Sequence, residues 1–143
     1  MITIGILTIS DGAAHGQRQD LSGEAIRELA AQMPGAELSA KAIVPDERDQ
    51  IAAVLREWSD EKHLHLILTT GGTGLSPRDV TPEATRSVIE REAQGIAEAM
   101  RFNSLQYTPM AMLSRGIAGV RGRTLIINLP GSPKAVKDRK SVV

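Results

Sequence analysis

The chain has 143 residues, enough for one domain around one core, and its 41% hydrophobic and 24% charged content excludes wholesale disorder. Lys plus Arg and Asp plus Glu both number 17, so the net charge is zero. That balance excludes broad binding along a nucleic-acid backbone, and the absence of cysteine excludes disulfides and thiolate metal sites.

The start, Met1-Ile2-Thr3-Ile4-Gly5-Ile6, has no basic stretch and no small-residue cleavage pattern, so no signal peptide is expected. No apolar run approaches the ~20 residues that span a bilayer, so no membrane is expected and the compartment is read as cytoplasmic. Ile2, Ile4, Ile6 and Ile9 sit in a nearly continuous apolar run, which predicts a strand buried on both faces. Residues 10–21 are polar and predict a long loop. Ile26, Leu29, Ala30 and Met33 follow helical spacing, and Pro34-Gly35 stops that helix. Residues 37–44 predict a second strand. Pro45-Asp46-Glu47 opens a second helix, with Ile51, Val54, Leu55 and Trp58 on one face. Residues 64–69 predict a third strand. Thr81-Pro82-Glu83 reads as a helix start with Thr81 as the cap. Residues 95–107 predict a further helix and 123–129 a fourth strand. Pro130-Gly131-Ser132-Pro133 then turns into a last helix start.

Strands alternating with helices predict an α/β fold: a Rossmann-like three-layer domain with a mostly parallel sheet and helices on both faces. Ligands in such folds bind beyond the carboxyl ends of the strands. The segments that matter are therefore 10–21, 45–49, 71–81 and 130–134.

Gly71-Gly72-Thr73-Gly74 puts three glycines in four residues, which lets backbone amides approach a phosphate. The loop is neither a P-loop nor a dinucleotide fingerprint, because the required Lys and third glycine are missing. A plain strand-to-helix turn explains the glycines equally well. Arg78 and Asp79 read either as a local ion pair or as a phosphate contact beside a Mg²⁺ ligand. Asp46 reads as a helix cap. It also follows a strand, so it should share a rim with Asp79, and two acids on one rim suit a magnesium-dependent phosphate reaction. Ser10-Asp11-Gly12 reads as a turn or as a nucleotide contact. Asn128, Pro130, Gly131, Ser132 and Lys134 read as helix capping or as a second anion site. His15, His63 and His65 lack metal-ligand spacing, with His63 and His65 read as strand-edge residues. With Trp58, Phe102 and Tyr107 as the only aromatics, a stacking platform for nucleic acid is not expected.

TTGGTGLSPRDVTPEAT at 69–85, with ILTISDG at 6–12, IVPDE at 43–47 and LSRGIAGVRGRTLIINLPGSPKA at 113–135, resembles the molybdenum-cofactor biosynthesis domain of the Mog/MoaB type. The resemblance covers nearly the whole chain. It implies a single molybdopterin-binding domain over 1–143, without the last amphipathic helix that relatives carry. It implies a homotrimer that binds molybdopterin and ATP and transfers AMP from Mg-ATP to the pterin's terminal phosphate, releasing pyrophosphate. By the family pattern, Asp46 and Asp79 match the functional acids and Mg²⁺ ligands. Ser10 to Gly12 and Gly71 to Gly74 match the nucleotide loops, and Pro130 to Lys134 the pterin and phosphate loop. Arg78 and Thr81 fall in the same stretch as substrate contacts. A molybdate-inserting enzyme downstream is an implied partner. The alternative is a non-catalytic molybdopterin-binding or carrier paralogue, against which the intact RDVTPEA stands. A dehydrogenase fails on the missing fingerprint.

Overall fold

The computed structural model describes residues 1–132. In chain order it runs β1 (Ile2–Ile9), α1 (Asp11–Ala14), α2 (Leu21–Ala31), β2 (Ala36–Val44), α3 (Arg48–Asp60) and β3 (Leu66–Thr70). It continues with α4 (Thr81–Arg86), β4 (Arg91–Glu92), α5 (Gln94–Ser104), a 3-10 turn (Pro109–Leu113), β5 (Ala118–Arg121) and β6 (Thr124–Leu129).

The strands form one sheet in the order β2-β1-β3-β6-β5-β4. β2, β1, β3 and β6 are parallel, β5 pairs antiparallel with β6, and β4 pairs antiparallel with β5. Side chains alternate across the pleat. Ile4 and Ile6 of β1, Leu68 of β3 and Ile127 and Leu129 of β6 face Ile26 and Ala30 of α2 and Met100 of α5. Leu7, Ile9, Ile67 and Ile126 face Ile51, Leu55 and Trp58 of α3 and Ala84 of α4. A sheet covered on both faces requires the continuous apolar runs that the sequence displays. Ile4, Ile6, Leu7, Ile26, Ile51, Leu55, Ile67 and Ile126 are fully buried. Each such side chain contributes about 1.5–3 kcal/mol of transfer free energy.

Several expectations need correction. The 10–21 segment is not all loop. Asp11–Ala14 forms one helical turn, capped by Ser10 accepting from Ala13 N at 3.2 Å. The next helix begins at Leu21, five residues before the apolar pattern, because Asp20 caps it by accepting from Gly23 N at 3.0 Å. Met33 lies past its end. Thr81 is not a cap: it is the first residue of α4, with Val80 at the cap position. Asp46 does not cap α3 either, since Glu47 occupies that position. The two short antiparallel strands went unread. Among the described residues no helix is long and apolar enough to cross a membrane.

Candidate active site

β1 is the switch point of the sheet: β2 lies on one side of it and β3 on the other. The chains leaving their carboxyl ends diverge there and open a crevice. A cavity of about 280 Å³ occupies it, lined by Thr8, Ser10, Asp20, Asp46, Gly71 and Asp79 among others. Gly131, just beyond β6, closes the floor. A larger hollow, about 580 Å³, lies at the opposite rim near His63, His65 and Arg123. Its one carboxylate, Asp60, is already held by Arg121 at 2.8 and 3.1 Å, and no loop from the carboxyl end of the parallel strands β1, β2, β3 or β6 lines it. The cleft at the strand ends is therefore the candidate site.

The glycines of 71–74 have separate tasks. Gly71 and Gly72 adopt φ of +99° and +69°, the left-handed region that disfavours side chains. A Cβ on Gly71 would collide with the Ile9 carbonyl. A Cβ on Gly72 would stand 3.2 Å from Asp46 Oδ1, and one on Gly74 would stand 2.9 Å from Asp79 Oδ2. The bare backbone thus makes room for both acids. Thr73 is buried, and Thr81, fully buried, donates from Oγ1 to the Gly71 carbonyl at 2.9 Å. Neither is among the residues that line the cavity.

Asp46 is fixed by a reciprocal pair with Asp11. Asp11 N donates to Asp46 Oδ2, and Asp46 N donates to Asp11 Oδ1, each at 2.9 Å. Burial pushes the Asp46 carboxyl above its ordinary value; the Asp11 amide opposes this, while the charges of Asp11 and Asp79 add to it. Asp79 accepts from Ser76 N at 3.0 Å. Two neighbouring carboxylates whose charges repel are a setting that a divalent cation relieves. Among the described residues no group of three or more His, Asp or Glu side chains forms a ready-made cage. Mg²⁺ does not require one, because it keeps several waters and takes one or two carboxylates plus substrate phosphates. Asp46 and Asp79 fit that use.

Arg78 is not in the cavity. Its guanidinium grips Asp11 at 3.0 and 3.1 Å and Glu47 at 3.0 Å. The Arg78 guanidinium beside Asp11 holds that carboxyl below its ordinary value. Arg78 is thus a brace for the Asp11–Asp46 pair, an ion pair with Asp11 and Glu47 where the sequence left open an ion pair or a phosphate contact. Ser10 lines the cavity, whereas Asp11 and Gly12 support it from behind. Pro130 contributes a carbonyl that accepts from Thr70 Oγ1 at 2.5 Å. Ser132 lies exposed just beyond Gly131. Asn128 belongs to the core: its Oδ1 accepts from Ile117 N at 3.1 Å, and its Nδ2 donates to Thr69 and Thr85 at 3.0 Å each. Lys134 and the helix start expected at 130–134 lie, from residue 133 onward, outside the described residues.

Two groups escaped sequence reasoning. Asp20 lines the cavity and accepts from Thr8 Oγ1 at 2.9 Å; an Asp three residues before Gly23 and four before Glu24 was a legible cap signal. Arg115 clamps the glycine loop. Its Nε donates to the Gly74 carbonyl at 2.8 Å, its Nη2 to the Asp79 carbonyl at 2.7 Å and its Nη1 to Glu83 at 2.7 Å. Its own N–H donates to the Thr73 carbonyl at 2.8 Å.

Comparison with known proteins shows the family. Residues 5–141 match the family described as "Probable molybdopterin binding domain". A molybdopterin adenylyltransferase of Helicobacter pylori (strain J99 / ATCC 700824) is 47% identical over 138 residues, covering 96% of this chain and 78% of that protein. The molybdenum cofactor synthesis protein cinnamon of Drosophila melanogaster is 48% identical, but the match spans only 23% of its length. The crystal structure of the molybdopterin biosynthesis enzyme MoaB from Thermus thermophilus superposes with a TM-score of 0.94 at 57% identity, covering 100% of this chain and 89% of that one. The chain belongs to the molybdopterin-binding domain family of molybdenum-cofactor biosynthesis.

Proposed function

Starting from that membership, we propose that the chain is a nucleotidyltransferase that moves AMP from ATP to the terminal phosphate of molybdopterin and releases pyrophosphate. The observation that carries the reading is the cavity at the strand ends, which Asp46 and Asp79 both line, each carboxylate lying beside a glycine of the loop. The 47% identity to a molybdopterin adenylyltransferase over most of its length supports it.

In this mechanism the pterin phosphate attacks the α-phosphorus of ATP and pyrophosphate departs, so no covalent protein nucleophile is required. The protein's work is alignment and charge stabilisation. Asp46 and Asp79 would hold Mg²⁺, which supplies charge neutralisation on the phosphates when bound. Asp11, braced by Arg78, fixes Asp46 through two hydrogen bonds. Gly71 and Gly72 bring backbone to the cavity wall without side-chain bulk, and Ser10 and Gly131 complete the phosphate side. Thr81 holds the turn of the loop.

The assembly proposed is a homotrimer, supported by the exposed apolar side chains of Phe102 on α5, Leu105 and Tyr107 just after it, and Met110 and Met112 on the 3-10 turn. A cytoplasmic location and delivery of product to a molybdate-inserting enzyme complete the proposal. The test is anaerobic pyrophosphate release from Mg-ATP, with and without molybdopterin, for wild type and Asp79→Ala. Release that requires the pterin and is lost in the variant is the expected outcome. Full turnover in Asp79→Ala with unchanged substrate binding would refute the role of the acid. Binding without release would favour the carrier reading.

A further inference from the structure

Among the described residues, few cations line the cavity for a site that takes phosphates. Three carboxylates line it, those of Asp20, Asp46 and Asp79, and Asp20 is met from outside by Lys41 at 3.5 Å. Arg78, the cation that the sequence offers for the phosphates, is spent on Asp11 and Glu47. Among the described residues lining the cavity, one cation remains: Arg18.

Arg18 comes from the loop between α1 and α2. It is exposed, and its guanidinium has no ion pair or hydrogen bond among the described residues. Its aliphatic stem lies across Gly12, where a Cβ would come within 2.7 Å of Arg18 Cγ and closer still to Cδ. The missing side chain at Gly12 is therefore the groove that lays the arginine over the turn towards the cavity. An unpaired guanidinium at the mouth of a cleft, with its stem packed and its fork open, suits bidentate capture of phosphate oxygens.

We propose that Arg18 is the cation that receives a substrate phosphate in this cavity, with Gly12 as the residue that positions it. The assignment deepens the adenylyl-transfer reading and rests on it for the identity of the substrate. The phosphate is either that of the nucleotide or that of the pterin, and the two are told apart by titrating each. Electrostatically, the group opposes the acids: it favours an incoming phosphate where Asp46 and Asp79 repel one.

Calorimetric titration with inorganic pyrophosphate in the presence of Mg²⁺ tests the assignment without turnover. Mg-ATP and molybdopterin form separate arms. Wild type, Arg18→Ala, Arg18→Lys and Gly12→Ala are compared. Arg18→Ala should weaken phosphate binding about tenfold or more, the usual weight of a charged hydrogen bond. Arg18→Lys should recover part of that. Gly12→Ala keeps the charge and favours the helical turn, yet displaces the stem, so it should weaken binding in the same direction. The arm that shows the loss names the phosphate. Equal affinities in wild type and Arg18→Ala in all three arms, or a loss carried by Arg78→Ala instead, overturn the proposal, as does wild type that binds none of the three probes. Dependence on Arg18 with no pyrophosphate release by wild type would keep the anion site and remove the transfer reading.

Discussion

Replacing Arg115 by Ala should loosen the loop that carries Asp79, and the structure sets the size of the effect. The guanidinium donates to two backbone carbonyls, Gly74 at 2.8 Å and Asp79 at 2.7 Å, both part-buried. Hydrogen bonds from a charged donor are worth about 1.5–3 kcal/mol each. The Arg115 side chain is 34% exposed, so water replaces part of what is lost, and about 1 kcal/mol per bond is the fair figure. The partner Glu83 is 47% exposed, which limits that ion pair to about 0.5 kcal/mol. The sum is a destabilisation of about 2–3 kcal/mol. In urea this lowers the midpoint by about 1 M with an unchanged slope, since the fold and its buried area stay the same. Arg115→Lys keeps the charge without the planar fork and should recover less than half. Binding of Mg-ATP, measured on folded protein, should weaken along with the loop. A loss of stability under about 0.5 kcal/mol in Arg115→Ala would refute the view that this side chain clamps the loop.

Two other expectations follow from the packing and charge. Ser59 Oγ is buried without a hydrogen-bond partner among the described residues, so Ser59→Ala should leave stability unchanged or raise it by about 1 kcal/mol in denaturant melts; a fall of that size would point to a partner for the hydroxyl. Asp11, Glu24, Asp60 and Glu83 are each held below their ordinary values, 3.8 for Asp and 4.5 for Glu, by an adjacent arginine. A depressed folded value means stabilisation that is present above the unfolded value and lost as pH falls through the folded one. Stability should therefore hold from neutrality down to about pH 5 and fall below it. The acid limb should be shallower in Arg115→Ala, which frees Glu83, and an unchanged limb would contradict this.

Elements were legible wherever a long buried run left its period in the sequence. β1, β3 and β6 carry side chains buried on both faces, and α2 and α3 carry one apolar stripe each. β5 and β4 left no such trace, having four and two residues with small or charged side chains. They exist because β6 offers an edge and Gly122, at φ +58°, lets the chain reverse onto it. The acids of the site were legible by the same logic, since Asp46 and Asp79 follow strands. Their supports were not. Arg78 finds Asp11 across 67 positions and Arg115 finds Asp79 across 36, and no local pattern announces such a pairing. Thr81 as a cap was misread for the opposite reason: it sits where a cap is ordinary, yet it is the first residue of α4 and its hydroxyl is spent on the Gly71 carbonyl.

The cavity floor is stitched to the final strand. Gly71 N donates to the Leu129 carbonyl at 3.2 Å, Thr70 Oγ1 donates to the Pro130 carbonyl, and Gly131 packs against Gly71 so closely that a Cβ there would stand 3.2 Å from the Gly71 Cα. A growing chain thus carries Ser10, Asp46 and the glycine loop in unfinished form until residues 124–131 arrive to complete the sheet. Ligand capture becomes a report on the docking of β6. Nucleotide or pterin present at that moment would add its binding free energy to the closure of the last strand, so substrate supply and folding yield become coupled quantities.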